Sequence, residues 1–235
     1  TDTSPEGRMV MKNYLLSVNA GLGKSETPIF PISIFKVKEG VNYNKEDPNY
    51  DLFRLSCEVS AKRLFPDFSF MDSPFNKQYY KGDYNTEVAY MGCRTRVMGN
   101  VVDENKAVTP GRGNLSFTSI NLPRIGIKHG IVLGNEKADI KGFFKELEET
   151  IEMVKDQLLE RFEIQCNKRS YNFPFLLQQG VWIDSDKLKP TDRLRKVLKH
   201  GTLSIGFIGL AETLKALTGK HHGEDPEAQK LGIKI

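Results

Sequence analysis

The stretch from Ala138 to Asn167 carries the clearest hydrophobic pattern in the chain. Its apolar residues recur every three or four positions, the spacing that puts side chains on one face of an α-helix. Asp139 near the start and Lys168-Arg169 after the end suit the helix dipole, which favours negative charge at the first turn and positive charge at the last. The pattern therefore predicts a long helix with one buried stripe: Ile140, Phe144, Leu147, Ile151, Val154, Leu158 and Phe162.

Shorter segments predict three more helices. Residues 51–65 repeat apolar side chains with helical spacing, and Pro66 would end that helix because proline cannot continue the hydrogen-bond ladder. A second helix is predicted over 192–199, and a third from Ser204 to Leu217 with Gly219 as its stop. The predicted inner face of the first of these helices is Leu52, Leu55, Val59 and Leu64.

Two segments have the composition or the alternation of strands. Residues 29–37 are β-branched and aromatic, which predicts a mostly buried strand. Residues 114–127 alternate apolar and polar positions, most regularly between Leu115 and Leu122, which predicts a second strand. Residues 68–84 are aromatic and turn-rich, and we expect a loop packed by its own rings. Strands alternating with helices favour an α/β fold with a largely parallel sheet, in one domain or part of one.

The two ends of the chain give weaker signals. Residues 1–27 are polar and contain glycine, and no regular element is predicted there. The tail from Lys220 onward is polar and expected to fray. The chain begins with Thr1, so we expect a piece of a longer protein. No basic and apolar leader is visible in the sequence, so secretion is not expected.

Composition narrows the class of protein. The formal net charge is only +4 and is spread along the chain, which disfavours a nucleic-acid partner because no phosphate-tracking stripe forms. Hydrophobic residues make up 39% and charged residues 27%, a balance typical of globular proteins. No apolar run approaches the roughly 20 residues of a membrane-spanning helix, so no membrane partner is expected.

Two glycine motifs resemble nucleotide-binding loops without completing them. Residues 21–25 end like a phosphate-binding P-loop, but Val18 stands where that motif needs its first glycine. Residues 111–114 form half of a dinucleotide fingerprint, but Ser116 replaces the third glycine. Both are therefore interpreted as glycine turns. The adjacent His221-His222 pair lacks a third ligand fixed by structure, so no metal site is predicted.

Of the three cysteines, one stands in an unusual context. Their odd number and the absence of a C-x-x-C spacing disfavour disulfides and a zinc site, and predict reduced thiols in the cytoplasm. Cys57 and Cys166 fall in predicted helices, where a small core residue is expected. Cys93 follows Gly92 between two strand-like segments, with Arg94 and Arg96 beside it, a context that would favour a reactive thiolate. A buried loop cysteine remains the equal alternative on these residues alone.

Three longer motifs occur in a fixed order. They are Tyr-Met-Gly-Cys-Arg at 90–94, Gly-Arg-Gly-Asn-Leu-Ser-Phe-Thr-Ser-Ile-Asn-Leu-Pro-Arg-Ile at 111–125, and Gly-Thr-Leu-Ser-Ile-Gly-Phe-Ile-Gly-Leu-Ala-Glu at 201–212. Together they closely resemble the anaerobic, oxygen-sensitive class III ribonucleoside-triphosphate reductases of the glycyl-radical enzyme superfamily. Thr-Pro-Ile-Phe-Pro at 27–31 fits the same family.

The resemblance implies a fold and an activity. The family fold is a ten-stranded α/β barrel with a central finger loop, and residues 1–235 resemble the C-terminal portion of that barrel. The implied reaction reduces ribonucleoside triphosphates to 2′-deoxyribonucleoside triphosphates and supplies DNA precursors. The ATP-cone, the glycyl-radical segment and its zinc cluster are not seen in the sequence, so we expect the piece to be inactive alone.

The resemblance also implies roles for individual residues. Cys93 matches the finger-loop cysteine that becomes a transient thiyl radical. Asn114 matches an active-site asparagine near the ribose hydroxyls. The 201–212 motif resembles a loop-to-helix turn under the substrate phosphates, where backbone N–H groups would bind an anion. Its substrate-binding residues would be Thr202, Ser204, Ile205 and Gly206.

Cofactors and partners follow from the resemblance in the same way. They are a glycyl radical, a separate radical-SAM activating enzyme that uses S-adenosylmethionine and a 4Fe–4S cluster, a formate or thiol reductant, structural zinc in a C-terminal segment, nucleotide effectors and a homodimer partner. Two alternatives stay open. One is another glycyl-radical enzyme of the formate-lyase type, and the other is a non-catalytic nucleotide-binding domain.

Overall fold

The computed structural model describes residues 2–92 and 95–235. The chain divides into two compact units, the first ending at Arg112 and the second beginning at Gly113. Each unit combines helices with paired strands, so the protein is mixed α/β.

The first unit contains two strand pairs. Strands β1 and β2 are parallel, and β3 and β4 are antiparallel. Its elements are α1 (Pro5–Ala20), β1 (Ile34–Val37), α2 (Tyr50–Arg63), β2 (Asp67–Phe70), α3 (Pro74–Lys77), β3 (Ala89–Met91) and β4 (Thr95–Val97).

Helix α1 is an element that sequence analysis missed. Ser4 caps its start, since the Ser4 side chain accepts a hydrogen bond from the Gly7 N–H at 3.1 Å. Leu15 and Val18 are its buried residues, and they pack with Val59 of α2. With two buried positions in sixteen residues, the helix shows almost no apolar stripe in the sequence, and its partner helix supplies the stability.

Other predictions for the first unit are confirmed in part. Helix α2 begins one residue before the predicted range of 51–65 and ends two residues short of it. Leu64 adopts a left-handed conformation after its end and is 80% exposed, so it does not belong to the inner face. The predicted strand at 29–37 shrinks to Ile34–Val37. The segment 68–84, predicted as a loop, instead begins within β2, whose Phe68 ring lies against Phe35 and Phe53.

The second unit is built on one long parallel strand pair, β5 with β6. Its elements are β5 (Asn114–Asn121), α4 (Leu122–His129), α5 (Ile140–Cys166), α6 (Pro174–Gln178), α7 (Arg195–Leu198), β6 (Thr202–Ile208), α8 (Leu210–Thr218) and α9 (Pro226–Lys234).

Helix α5 confirms the long predicted helix. Its buried residues Phe143, Leu147, Val154 and Leu158 share one core with Ile120 of β5 and residues of α4 and α8. The buried face of α5 is rotated slightly from the predicted one, because Phe143 rather than Phe144 is fully buried and Ile151 stays 38% exposed. The Asp139 side chain accepts a hydrogen bond from the Gly142 N–H at 2.9 Å and caps the helix.

Four predictions in this unit differ from the structure. The helix predicted over 192–199 covers only Arg195–Leu198. Strand β5 ends at Asn121, which caps α4, so the predicted strand at 114–127 is too long. The helix predicted from Ser204 begins only at Leu210, because residues 202–208 pair with β5 as a strand. The tail expected to fray instead forms α9, where Asp225 caps the helix by accepting a hydrogen bond from the Ala228 N–H.

Candidate active site

The pairing of β5 with β6 brings the second and third sequence motifs together. In the parallel register Asn114 lies opposite Thr202, Phe117 opposite Ser204, and Ser119 opposite Gly206. A register shift between Asn114 and Ser116 marks a bulge at Leu115. A bulge adds one residue to a strand and turns the preceding side chain to the other face.

One face of this strand pair packs against α5. Arg161 of α5 donates hydrogen bonds to Ser116 Oγ at 3.3 Å and to Thr118 Oγ1 at 3.2 Å. On β6, Ile205 and Phe207 line an apolar cavity of about 240 Å³ that is shared with residues of α5. The side chain of Ile205 therefore faces α5, and only its backbone is available to a ligand on the other face.

The opposite face of the pair carries neutral polar groups, and we call it the polar face. Side chains alternate along a strand, so the residues between those facing α5 point the other way. A β-carbon built on Gly206 would lie 3.5 Å from Ser119 Oγ, which puts these two positions on the same side. The polar face consists of Asn114, Phe117, Ser119, Thr202, Ser204 and Gly206.

Two oxygen atoms on the polar face are buried without a hydrogen-bond partner. Within the described residues, Asn114 Oδ1 and Thr202 Oγ1 have no partner, and the two residues are opposite each other in the register. An unsatisfied buried polar atom costs about 1–3 kcal/mol. Four other buried side-chain oxygens in the described residues share this property, so the distinguishing feature of these two is their position opposite each other on one strand pair.

The turn from β6 into α8 differs from the predicted anion site. Thr202, Ser204, Ile205 and Gly206 lie within a strand, so their N–H groups are not the free donors of a helix N-terminus. The helix begins after Gly209, whose φ of 75° and close approach to Pro123 require glycine. Glu212 already places a negative charge in the first turn of α8.

The predicted radical cysteine, Cys93, lies outside the described residues. The strands on either side of it are described, and they pair in antiparallel register with Tyr90 opposite Arg96. This confirms two strands around the glycine-cysteine segment. The Arg96 guanidinium lies 4.1 Å from the Phe75 ring centroid and donates to Asn76 Oδ1 at 3.1 Å.

The other two cysteines differ from each other. Cys166 is buried at the end of α5, as predicted, and burial raises the pKa of its thiol. Cys57 is exposed, so the prediction of a core residue is wrong. The reason is its place on α2, where Ser56 and Val59 take the buried positions beside it.

The predicted glycine turns are confirmed. Residues 21–25 are closed by an isolated antiparallel bridge between Leu22 and Glu26, and Arg63 donates to the Ser25 carbonyl at 2.7 Å. Gly111 adopts a φ of 73°, as a turn glycine does.

Neither a metal cluster nor a membrane-spanning helix is found in the described ranges. No group of three or more His, Cys, Asp or Glu side chains within 2–92 and 95–235 is arranged to hold a metal ion. In the same residues no helix combines the length and the apolar character needed to cross a membrane.

Comparison with known proteins decides the family. The family model of the anaerobic ribonucleoside-triphosphate reductase matches residues 1–235. The chain belongs to this family. The resemblance inferred from the three motifs is thereby confirmed.

Curated relatives in this family are similar along nearly the whole chain. The anaerobic ribonucleoside-triphosphate reductases of Haemophilus influenzae and Escherichia coli are 32% and 33% identical to it over 99% of its length. The reductase of enterobacteria phage T4 is 32% identical over 96%. The chain spans only 31–36% of the length of these relatives.

Sequence analysis missed Ser119 and Phe117 as members of the polar face. In a regular strand Ser116 and Thr118 would share a face with Asn114, and the two missed residues would point away from it. The bulge at Leu115 reverses this, so that Asn114 shares a face with Phe117 and Ser119, and no pattern in the sequence indicates the bulge.

Proposed function

We propose that this chain is part of the catalytic barrel of an anaerobic ribonucleoside-triphosphate reductase, with Cys93 on its finger loop. The family match over the entire chain is the observation that carries the proposal. The intact protein would reduce ribonucleoside triphosphates to 2′-deoxyribonucleoside triphosphates. The chain alone would be inactive, since its relatives are about three times longer.

In the proposed chemistry Cys93 relays a hydrogen atom. The S–H hydrogen atom of Cys93 would pass to a glycyl radical elsewhere in the intact protein, so a glycine C–H bond would form as the S–H bond breaks. The resulting thiyl sulfur would take the 3′-hydrogen of the ribose, so one S–H bond would form as one C–H bond breaks. The 2′-hydroxyl would take up a proton and leave as water, formate or a thiol would supply two reducing electrons, and Cys93 would return the hydrogen atom to C3′. A barrel interior would protect these radicals from solvent.

Asn114 and the β6 motif would hold the substrate. A neutral amide can both donate and accept hydrogen bonds, which suits two adjacent ribose hydroxyls. Asn114 and Thr202 support this role because, within the described residues, their Oδ1 and Oγ1 atoms have no hydrogen-bond partner and the two residues lie opposite each other in the register. Ser204 and Gly206 extend the same face, and Ile205 would contribute through its backbone.

The remaining family properties are part of the same proposal. They are the ten-stranded barrel, a homodimer, nucleotide effectors, a radical-SAM activating enzyme with S-adenosylmethionine and a 4Fe–4S cluster, zinc in a C-terminal segment, and a cytoplasmic location. Within the described residues the side chains do not fit a zinc site, so we propose no zinc ligand in them.

The test is replacement of Cys93 in the intact protein. After anaerobic activation, C93A is expected to keep the glycyl-radical EPR signal and to lose ribonucleoside-triphosphate reduction by at least a thousandfold. C57A is the matched control, because Cys57 is exposed on α2, and it should reduce nucleotides normally. Substantial reduction by C93A would show that another group carries the hydrogen atom. Wild-type protein that carries the radical without reducing ribonucleotides would favour the formate-lyase alternative.

A further inference from the structure

Three polar side chains on one side of α5 reach strand β5. They follow one another at intervals of four residues, the spacing that stacks side chains along a helix. Gln157 and Arg161 bond to the regular part of the strand, at residues 116–118. The third is Gln165, whose Nε2 donates to the Leu115 backbone carbonyl at 3.1 Å. Gln165 is therefore the member of this row that reaches the bulge.

The backbone of Leu115 receives its hydrogen bond from outside the strand pair. The extra residue of a bulge loses its place in the ladder, and a backbone carbonyl withdrawn from water is costly to leave unpaired. Gln165 supplies a donor to that carbonyl from α5. Within the described residues Gln165 Oε1 is buried without a partner, so the bond to Leu115 is what orients the amide.

The side chain of Leu115 is fitted to Gly201, which precedes β6. A β-carbon built on Gly201 would lie 2.6 Å from Leu115 Cγ, with both methyl groups of that leucine within 3.0 Å. Gly201 does not adopt a positive φ, so glycine is required there for space rather than for backbone conformation. The bulged residue is thus held at its carbonyl by α5 and at its side chain by the segment before β6.

The bulge decides which way Asn114 points. In a regular strand Asn114 would share the face of Ser116, which bonds to Arg161. The bulge turns Asn114 to the polar face, opposite Thr202. Bulges beside active sites re-aim side chains in this way. A group that holds the bulge therefore holds Asn114.

We propose that Gln165 is a positioning residue for the reduction, because its hydrogen bond to Leu115 fixes the bulge that presents Asn114 to the ribose hydroxyls. Gly201 has the same effect by leaving room for the Leu115 side chain. The inference rests on the proposed function. It adds to that function two residues that touch no substrate and act through Asn114.

The test compares two ligands that differ only in the ribose hydroxyls. Dissociation constants of CTP and 2′,3′-dideoxy-CTP are measured on the intact protein without radical activation, so inactive variants can be compared. Q165M keeps the length of the side chain and removes its N–H donor. It should raise the dissociation constant of CTP about threefold to tenfold, as for one lost hydrogen bond, and that of the analogue less than about twofold. General loosening of the protein would weaken both ligands alike.

A double-mutant cycle tests whether Gln165 acts through Asn114. In the N114A background Q165M should change the constant of CTP by less than about twofold, because the side chain that it positions is already absent. Q157M is the matched control on the same helix face, and it should leave both constants within about twofold of wild type. G201A disturbs the bulge from the other side and should show the same selective loss, even if Q165M folds poorly.

The outcomes separate the inference from the proposed function. Equal weakening of both ligands by Q165M, unchanged constants, or an undiminished effect of Q165M in the N114A background would each overturn the inference. N114A that binds CTP as tightly as wild type would instead overturn the proposed role of Asn114. A wild-type protein that reduces no ribonucleotide after activation would overturn the proposed function itself.

Discussion

Glu87 links two lysines in the interior of the first unit, and its removal should loosen that unit. Glu87 is only 7% exposed. Its two carboxylate oxygens accept from Lys36 Nζ at 3.0 Å and Lys38 Nζ at 2.8 Å. Lys38 also lies 4.6 Å from the Tyr80 ring centroid. Since Lys36 belongs to β1, the cluster fastens this strand to the segment before β3.

The substitution E87Q keeps the size of the side chain and removes its charge. Breaking one partner of a buried ion pair costs about 3–5 kcal/mol, and the partial exposure of both lysines favours the lower end of that range, about 3 kcal/mol. At about 1.4 kcal/mol per tenfold, local opening should become roughly a hundredfold more frequent. E58Q is the control, since Glu58 is 68% exposed beside Arg54 and should cost less than about 1 kcal/mol.

The assay is hydrogen–deuterium exchange of the intact protein, read on peptides that cover β1 and β2. E87Q should exchange these amides far faster than wild type or E58Q at neutral pH. Exchange within about twofold of wild type would refute the reasoning, because it would mean that the lysines find equivalent partners in water.

The same cluster predicts a pH dependence. Burial pushes the pKa of Glu87 upward, but hydrogen bonds and charges from Lys38 and Lys36 outweigh burial and leave the pKa below its ordinary value of 4.5. A carboxyl whose folded pKa is depressed stabilises the protein at neutral pH, and this stabilisation is lost as the pH falls through the folded pKa. Protection of β1, corrected for intrinsic exchange, should therefore fall in acid in the wild type and depend less on pH in E87Q.

Two predictions concern the core of the second unit. F143A removes a ring that is 0% exposed and should lower the free energy of unfolding of the unit by about 3–5 kcal/mol. I151A, at a partly exposed position of α5, should lower it by less than half as much, and calorimetric melting measures both. G130A would drive a β-carbon into the Ala216 carbonyl oxygen and should cost about 2–3 kcal/mol by forcing α4 away from α8. G206A meets its nearest atom at 3.5 Å and serves as the glycine control for stability, and equal melting of the two variants would contradict this account.

Helix α5 and the family were predictable from the sequence, for two different reasons. The stripe of α5 is long enough for its period to be read directly, because every buried position repeats the same local geometry. The family was predictable because three motifs keep their order and most of their residues. Short elements were predicted less well: α1 buries two side chains, too few to reveal a helix in the sequence.

Strand β6 shows why the candidate site itself could not be derived. The segment Thr202–Ile208 contains residues that suit either a helix or a strand, and its pairing with β5, more than eighty positions earlier in the chain, decides between them. β-structure depends on the partner strand more than on local preference. The predicted helix start at Ser204 therefore failed at the place where a distant contact replaces a local one.

The sequence by itself determined the family, the long helix, the turns at glycine and the kinds of side chain that can form the candidate site. The tertiary structure alone decided which of those groups share a surface. One bulge at Leu115 turns Asn114 toward the side of Ser119 and Thr202, and strand register sets Gly206 beside Ser119. A bulge and a register are relations between two strands, so they are fixed only when the two strands meet.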